Sequence, residues 1–163
     1  MKIKKNDGKT PIENIEDKED NQPRKEMPNK ICLIGDYEVG KTSLIRCFNG
    51  ESFNDIYEPT QKCYYINKKI TYENKEIELA IWDIIGNEKF RLINRNFYKN
   101  TDIIIFVYDI TNKKSFENIK NFWYKEIQEI IEPHPFLVIL GNKSDLYDAE
   151  EVKEEETREY VNQ

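Results

Sequence analysis

Residues 35–43, GDYEVGKTS, constrain this chain more than any other stretch, because an apolar run at 31–34 leads into them and a helix-patterned run at 44–48 leaves them. Gly35 and Gly40 bracket four residues and are followed by Lys41 and Thr42, the GxxxxGK(S/T) spacing of a phosphate-binding loop between a strand and a helix. Glycine permits the positive φ values that turn successive N–H groups inward, and the following helix points its positive end at the same place. Gly35, Glu38, Val39, Gly40, Lys41, Thr42 and Ser43 are therefore candidate contacts for a polyphosphate. Lys41 would reach the β- and γ-phosphates, and Thr42 would offer its hydroxyl to Mg²⁺, a hard cation that prefers oxygen. An ordinary glycine turn explains the short pattern alone; the strand before it and the helix after it favour phosphate.

Around this loop, 163 residues with eight Phe, ten Tyr and two Trp suffice for one domain with a substantial core. A net charge of −6 argues against attraction to nucleic-acid phosphates or to an anionic membrane. Cys32, Cys47 and Cys63 show no metal-ligand spacing, and two sit in apolar segments, so reduced, buried thiols in a cytoplasmic protein are expected. No apolar run approaches the ~20 residues that cross a bilayer, and the start of the chain carries no apolar export segment. Residues 1–29 are rich in Lys, Asp, Glu and Asn and interrupted by Pro11, Pro23 and Pro28. They hold too little apolar surface to offset the entropy of ordering, and a disordered extension is expected there.

Beyond the first helix, residues 50–61 read as a polar loop near the phosphates, with Pro59 disfavouring helix at Glu58. Residues 62–70 and 77–82 are β-rich runs joined by 71–76, an antiparallel hairpin ending in Asp83. Residues 103–108 and 136–140 are near-continuous apolar runs, as parallel strands covered on both faces require. Phe116, Ile119, Phe122, Trp123, Ile127, Ile130 and Ile131 recur at helical spacing and read as core packing. A weaker, charged helix is expected over 149–161, and His134, flanked by Pro133 and Pro135, belongs to a turn without a catalytic role. The class is α/β, with ligands expected at the carboxyl ends of the strands.

Three further features fall where a nucleotide switch needs them. Asp83 opens Asp83-Ile84-Ile85-Gly86, in which a strand-end carboxylate can hold Mg²⁺ through water and a glycine can bring its N–H close to a terminal phosphate. Thr60, in the loop after the first helix, can give its hydroxyl to the same ion only while that loop is closed. Asn142-Lys143-Ser144-Asp145 follows the last strand, and one carboxylate can accept two parallel hydrogen bonds from the N1–H and N2 amine of guanine. Adenine lacks that donor pair and would leave a buried carboxylate unpaired, a penalty of roughly 1–3 kcal/mol or more.

From residue 30 to 163 the sequence resembles the Ras superfamily of small GTP-binding proteins, closest to its Rab branch through IELAIWD, KFRLIN, FYKNT, FVYDIT and GNKSDL. The resemblance implies the P-loop NTPase three-layer fold, a mixed, mostly parallel sheet with helices on both faces. It also implies a GTP/GDP switch with Mg²⁺ acting in vesicle trafficking or signalling. By the same resemblance Lys41, Thr42, Thr60, Asp83 and Gly86 contact phosphate or metal, with Lys41, Gly86 and Asn87 in the catalytic group. Asn142, Lys143 and Asp145 read guanine, Phe53 stacks on the base, and Tyr57 of the same switch loop also contacts the nucleotide. Effectors, exchange factors and activating proteins would engage the two switch loops of a monomer.

The chain departs from the pattern at several places. Asn87 stands where the family has glutamine, and Tyr37 and Glu38 where the phosphate loop is usually small. Gln61-Lys62-Cys63-Tyr64-Tyr65 replaces the usual sequence after the switch threonine, and Ile84-Ile85 replaces threonine-alanine. The family's last strand, its Ser-Ala-Lys loop, its last helix and its prenylated cysteines have no counterpart here, so an incomplete domain without a membrane anchor is expected. Two alternatives to the working switch remain. One is a nucleotide-binding interaction module with negligible hydrolysis; the other is an incomplete, non-functional fragment.

Overall fold

A computed structural model describes residues 28–54, 60, 63–86 and 94–162. The expected N-terminal extension up to residue 27, the part of the first switch loop that includes Tyr57, and the stretch opening at Asn87 lie outside the described residues.

Among the described residues five strands form one sheet in the order β2-β3-β1-β4-β5. They are β1 (Asn29–Ile34), β2 (Tyr64–Tyr72), β3 (Lys75–Asp83), β4 (Ile103–Asp109) and β5 (Phe136–Asn142). Only β2 runs antiparallel to its neighbour; the pairs β1–β3, β1–β4 and β4–β5 are parallel. The β2–β3 hairpin is tighter than the six-residue link expected, because alternation continues through the pair Tyr72↔Lys75. Glu73 and Asn74 close it with φ of 47° and 61°, the paired left-handed conformations that match the twist of a two-residue hairpin.

Strand alternation sends apolar residues to both faces of the sheet. Leu33, Ile81 and Val107 pack with Val39 and Ile45 of the loop and first helix, α1 (Lys41–Phe48). Cys32, Ile34, Ile104, Phe106 and Tyr108 pack on the other face under a second helical layer. That layer is α2 (Lys113–Asn118), a π-helical turn (Ile119–Trp123) and α3 (Tyr124–Ile130) in one continuous run. Asn112 caps it, accepting from the Ser115 N–H at 3.3 Å. Phe116, Ile119, Trp123, Ile127 and Ile131 are buried and Phe122 and Ile130 half-buried, so the aromatic stripe is core as expected.

The charged helix begins later than expected. Residues 144–149 form a 3₁₀ segment, and α4 spans Glu154–Val161. Between them the N–H groups of Glu151 and Val152 both donate to the Ile110 carbonyl, at 2.8 and 3.1 Å, which holds the chain extended and buries Val152. β5 is an edge strand, and the expected cover on both faces fails there: Phe136 is 80% exposed, and Leu137 and Val138, which alternate onto opposite faces, are exposed as well. Of the three free thiols Cys32 is buried and Cys63 half-buried, but Cys47 is exposed. The expectation that the thiols are buried fails at Cys47 because α1 turns Ile45, not its last turn, toward the sheet. His134 is exposed, as a turn residue should be, and no described helix is long and apolar enough to cross a membrane.

Candidate functional site

Between β1 and α1 the backbone enters conformations that side chains resist. Gly35 has φ +151° and lies so close to β4 that a Cβ would collide with the Val107 carbonyl. Gly40, at φ +91°, packs against the side-chain amide of Asn142. Glu38 adopts φ 63° although it is not glycine, and Tyr37 beside it is 65% exposed.

The Lys41 side chain folds back into this loop, only 6% exposed. Its ammonium donates to the carbonyls of Gly35 at 3.0 Å and Asp36 at 2.6 Å. Burial lowers its pKa to about 8, against the opposing pull of the Asp83 and Asp36 charges. Gly86 closes the far wall: a Cβ there would meet the Lys41 ammonium and lie 2.5 Å from the Asp36 carbonyl oxygen. The expected phosphate-facing glycine and lysine are therefore neighbours in space.

The candidate metal residues also converge. Thr42 Oγ1 donates to Asp83 Oδ2 at 2.5 Å and lies 2.7 Å from Thr60 Oγ1. A hydroxyl carries one proton, so the Thr60 hydroxyl must donate to Thr42. Asp83 is fully buried, and among the described residues its Oδ1 has no hydrogen-bond partner. Burial raises the Asp83 carboxyl, offset in part by the Thr42 hydroxyl and by Lys41 and Arg46. An orphaned buried carboxylate oxygen beside two hydroxyls is an oxygen-only donor set, and it fits a hard divalent cation such as Mg²⁺ that keeps waters and phosphate oxygens for its other positions. No cluster of three His, Cys, Asp or Glu side chains occurs among the described residues. The hydroxyls are therefore an essential part of any cation site at this point.

At the carboxyl end of β5, Asn142 donates its amide to the Val39 carbonyl at 2.8 Å and thereby ties this corner to the phosphate loop. Lys143, at φ 64°, turns its ammonium onto Asp109 Oδ2 at 2.6 Å. The other Asp109 oxygen accepts from the Thr111 N–H and hydroxyl at 2.8 and 2.7 Å. Burial pushes the Asp109 carboxyl up, but the Lys143 and Thr111 bonds together hold it below its ordinary value. Ser43, at the second position after Lys41 in α1, is half-buried; Asp145 in the 3₁₀ segment and Phe53 after α1 stand exposed.

Two groupings were not foreseen from the sequence. Both Asp36 carboxylate oxygens are engaged by the second helical layer: Trp123 Nε1 donates at 2.8 Å and Asn118 Nδ2 at 2.6 Å. An acid inside a loop meant for phosphate was the available signal. On β2 and β3, Tyr65, Trp82 and the nearby Phe97 form a run of rings with centroids 4.9 and 5.5 Å apart, Tyr65 partly open to solvent.

Comparison with known proteins agrees with this geometry. The model of the Ras family matches residues 30–163. Human Ras-related protein Rab-22A is 37% identical over 132 residues, covering 81% of this chain and 68% of that protein. Ras-related protein Rab-21 of Geodia cydonium is 37% identical with 57% of its length covered. For Ras-related protein RabG2 of Dictyostelium discoideum the figures are 37% and 66%. With the phosphate loop, the strand-end aspartate and the sheet order all in place, the chain belongs to the Ras family and is a Rab-like small GTPase.

Proposed function

We propose that the chain is a guanine-nucleotide switch. It takes GTP or GDP with Mg²⁺ on the phosphate loop, hydrolyses GTP slowly to GDP and phosphate, and signals the bound state to partner proteins in vesicle trafficking or signalling in the cytoplasm. The observation that carries this reading is the Thr60 hydroxyl resting on Thr42 beside the unpartnered Asp83 oxygen. This supports the reading, because a residue of the first switch segment lies against the proposed cation ligands Thr42 and Asp83. Bound Mg²⁺ would neutralise charge on the β- and γ-phosphate oxygens. Lys41 exchanges its loop carbonyls for phosphate oxygens, Gly86 offers its N–H, and Asp145 accepts the two guanine donors. The partly exposed Tyr65, Trp82 and Phe97 rings, next to the Thr60 segment, support a protein partner on that side, since exposed aromatic clusters favour such surfaces.

Competition against a fluorescent GDP tests the base. GDP should displace it and ADP should not, and Asp145→Asn should move preference toward xanthosine diphosphate, whose C2 oxygen can accept from the new amide. Equal displacement by ADP would remove the guanine assignment.

The reading of a hydrolysis-poor binding module draws on the exposed Tyr37 ring at the loop mouth, where an arginine from an activating protein would enter, and on Asn87. Phosphate release in a single turnover, with and without an activating protein, separates the two readings. A rate indistinguishable from nucleotide in buffer would select the module.

A further inference from the structure

Asp36 sits second in the phosphate loop, where a negative side chain facing inward would repel the phosphates that the loop exists to hold. The structure turns it outward instead. Trp123 Nε1 and Asn118 Nδ2 donate to separate oxygens of its carboxylate at 2.8 and 2.6 Å, so both oxygens are used from one helical run. The carbonyl of the same residue accepts the Lys41 ammonium at 2.6 Å and abuts the position of Gly86. One residue thus joins the second helical layer to the ammonium that would bind the β- and γ-phosphates.

The helix is built to make this contact. Asn118 and Trp123 are five positions apart, and on a regular α-helix such residues point about 140° apart. The π turn Ile119–Trp123 lies between them, and its closing bond runs from the Tyr124 N–H to the Ile119 carbonyl, an i→i+5 step. Widening the turn in this way brings residues five apart onto one side, and π turns of this kind occur frequently at functional sites. Trp123 is buried, and a buried indole N–H requires an acceptor; here the acceptor is the phosphate loop itself.

We propose that Asn118 and Trp123 are positioning residues for nucleotide binding: through Asp36 they clamp the phosphate loop so that the Lys41 ammonium is already placed for the diphosphate. The proposal rests on the guanine-nucleotide reading above. Its signature is selectivity for phosphate number, because a clamp that acts through Lys41 matters for GDP and hardly for GMP, which lacks the β-phosphate.

The test measures GDP and GMP affinity and the release rate of a fluorescent GDP in Mg²⁺ buffer. The proteins are the parent, Asn118→Ala, Trp123→Phe, Asp36→Ala and the triple variant, each first shown to unfold cooperatively without nucleotide. Asn118→Ala and Trp123→Phe should each speed GDP release about tenfold, the loss expected of one hydrogen bond to a charged acceptor. GMP affinity should stay within about twofold of the parent on the same argument. Adding both substitutions to Asp36→Ala should cost nothing further, since all three remove one linkage. Release rates equal to the parent's in both single variants would overturn the clamp, as would GDP and GMP weakened by the same factor. Trp123→Phe leaves a small void in the core, so Asn118→Ala, at a half-buried position, decides if the two disagree. A parent that binds no GDP would sink the nucleotide reading itself, a result separate from either failure of the clamp.

Discussion

Asp83 shows how much one atom can specify. Its Oδ2 is satisfied by Thr42 and its Oδ1, equally buried, by nothing among the described residues. A polar oxygen left so in a core costs about 1–3 kcal/mol, which a cation would recover. Because Thr42 is also a donor to that carboxylate, Thr42→Asn should weaken GTP and Mg²⁺ binding well beyond GDP binding, read by titration of each nucleotide with and without Mg²⁺. Equal losses for the two nucleotides would count against Thr42 as a metal ligand. Asp109 makes a second residue-scale prediction. Its native pKa lies below the ordinary carboxyl value, so between the two values the unfolded chain binds more protons. Its contribution is therefore complete above about pH 4 and is lost as the pH falls through the native pKa. Asp109→Asn should cost about 1–2 kcal/mol at pH 7, as loss of charge-assisted bonds does. In urea unfolding the gap from the parent should narrow by pH 3; a gap unchanged with pH would assign the cost to packing.

Among the elements, the strand, loop and helix at 29–48 were legible because glycine spacing and apolar runs are local properties of the chain. The hairpin and both parallel strands were legible for the same reason. The π turn was not: Phe116, Ile119, Trp123 and Ile127 satisfy ordinary helical spacing, and the extra residue per turn shows only once Asn118 and Trp123 have Asp36 to reach. Nor was the break before α4, which depends on the Ile110 carbonyl some forty residues upstream, just past the end of β4. At the segment after Gly86 the prediction concerns rate. In the proposed role for Asn87, a carboxamide shorter by one methylene than glutamine would reach less far toward an attacking water, and a misplacement of about 1 Å can cost roughly 100-fold. Asn87→Gln, alone and with Tyr37→Gly, should therefore speed single-turnover hydrolysis, most clearly with an activating protein present. A parent rate equal to that of the double variant would show that neither position limits the reaction.

For the molecule as a whole, the proposed ligand and the fold should be coupled. The two faces of the sheet carry separate apolar clusters, one under α1 and one under α2–α3, and the phosphate loop touches both helical layers, through Val39 and through Asp36. Nucleotide that joins the loop to β3 and β5 should thus stabilise the entire domain. GDP with Mg²⁺ at 100 times its dissociation constant should add about 2.7 kcal/mol to unfolding, and ADP nothing at the same concentration. No stabilisation by GDP would favour the non-functional fragment over the switch. Residue order alone determined the α/β class, the glycine-bracketed loop between β1 and α1 and the alternation along the strands, because each follows from spacing and from the periods of 2.0 and 3.6 along a single segment. Only the tertiary structure decided that Thr60 rests on Thr42, that Lys143 turns to Asp109, that Cys47 faces outward and that Asp36 is held by Asn118 and Trp123. Those outcomes depend on which side chains from distant segments meet across the ends of the sheet, and no pattern within one segment carries that information.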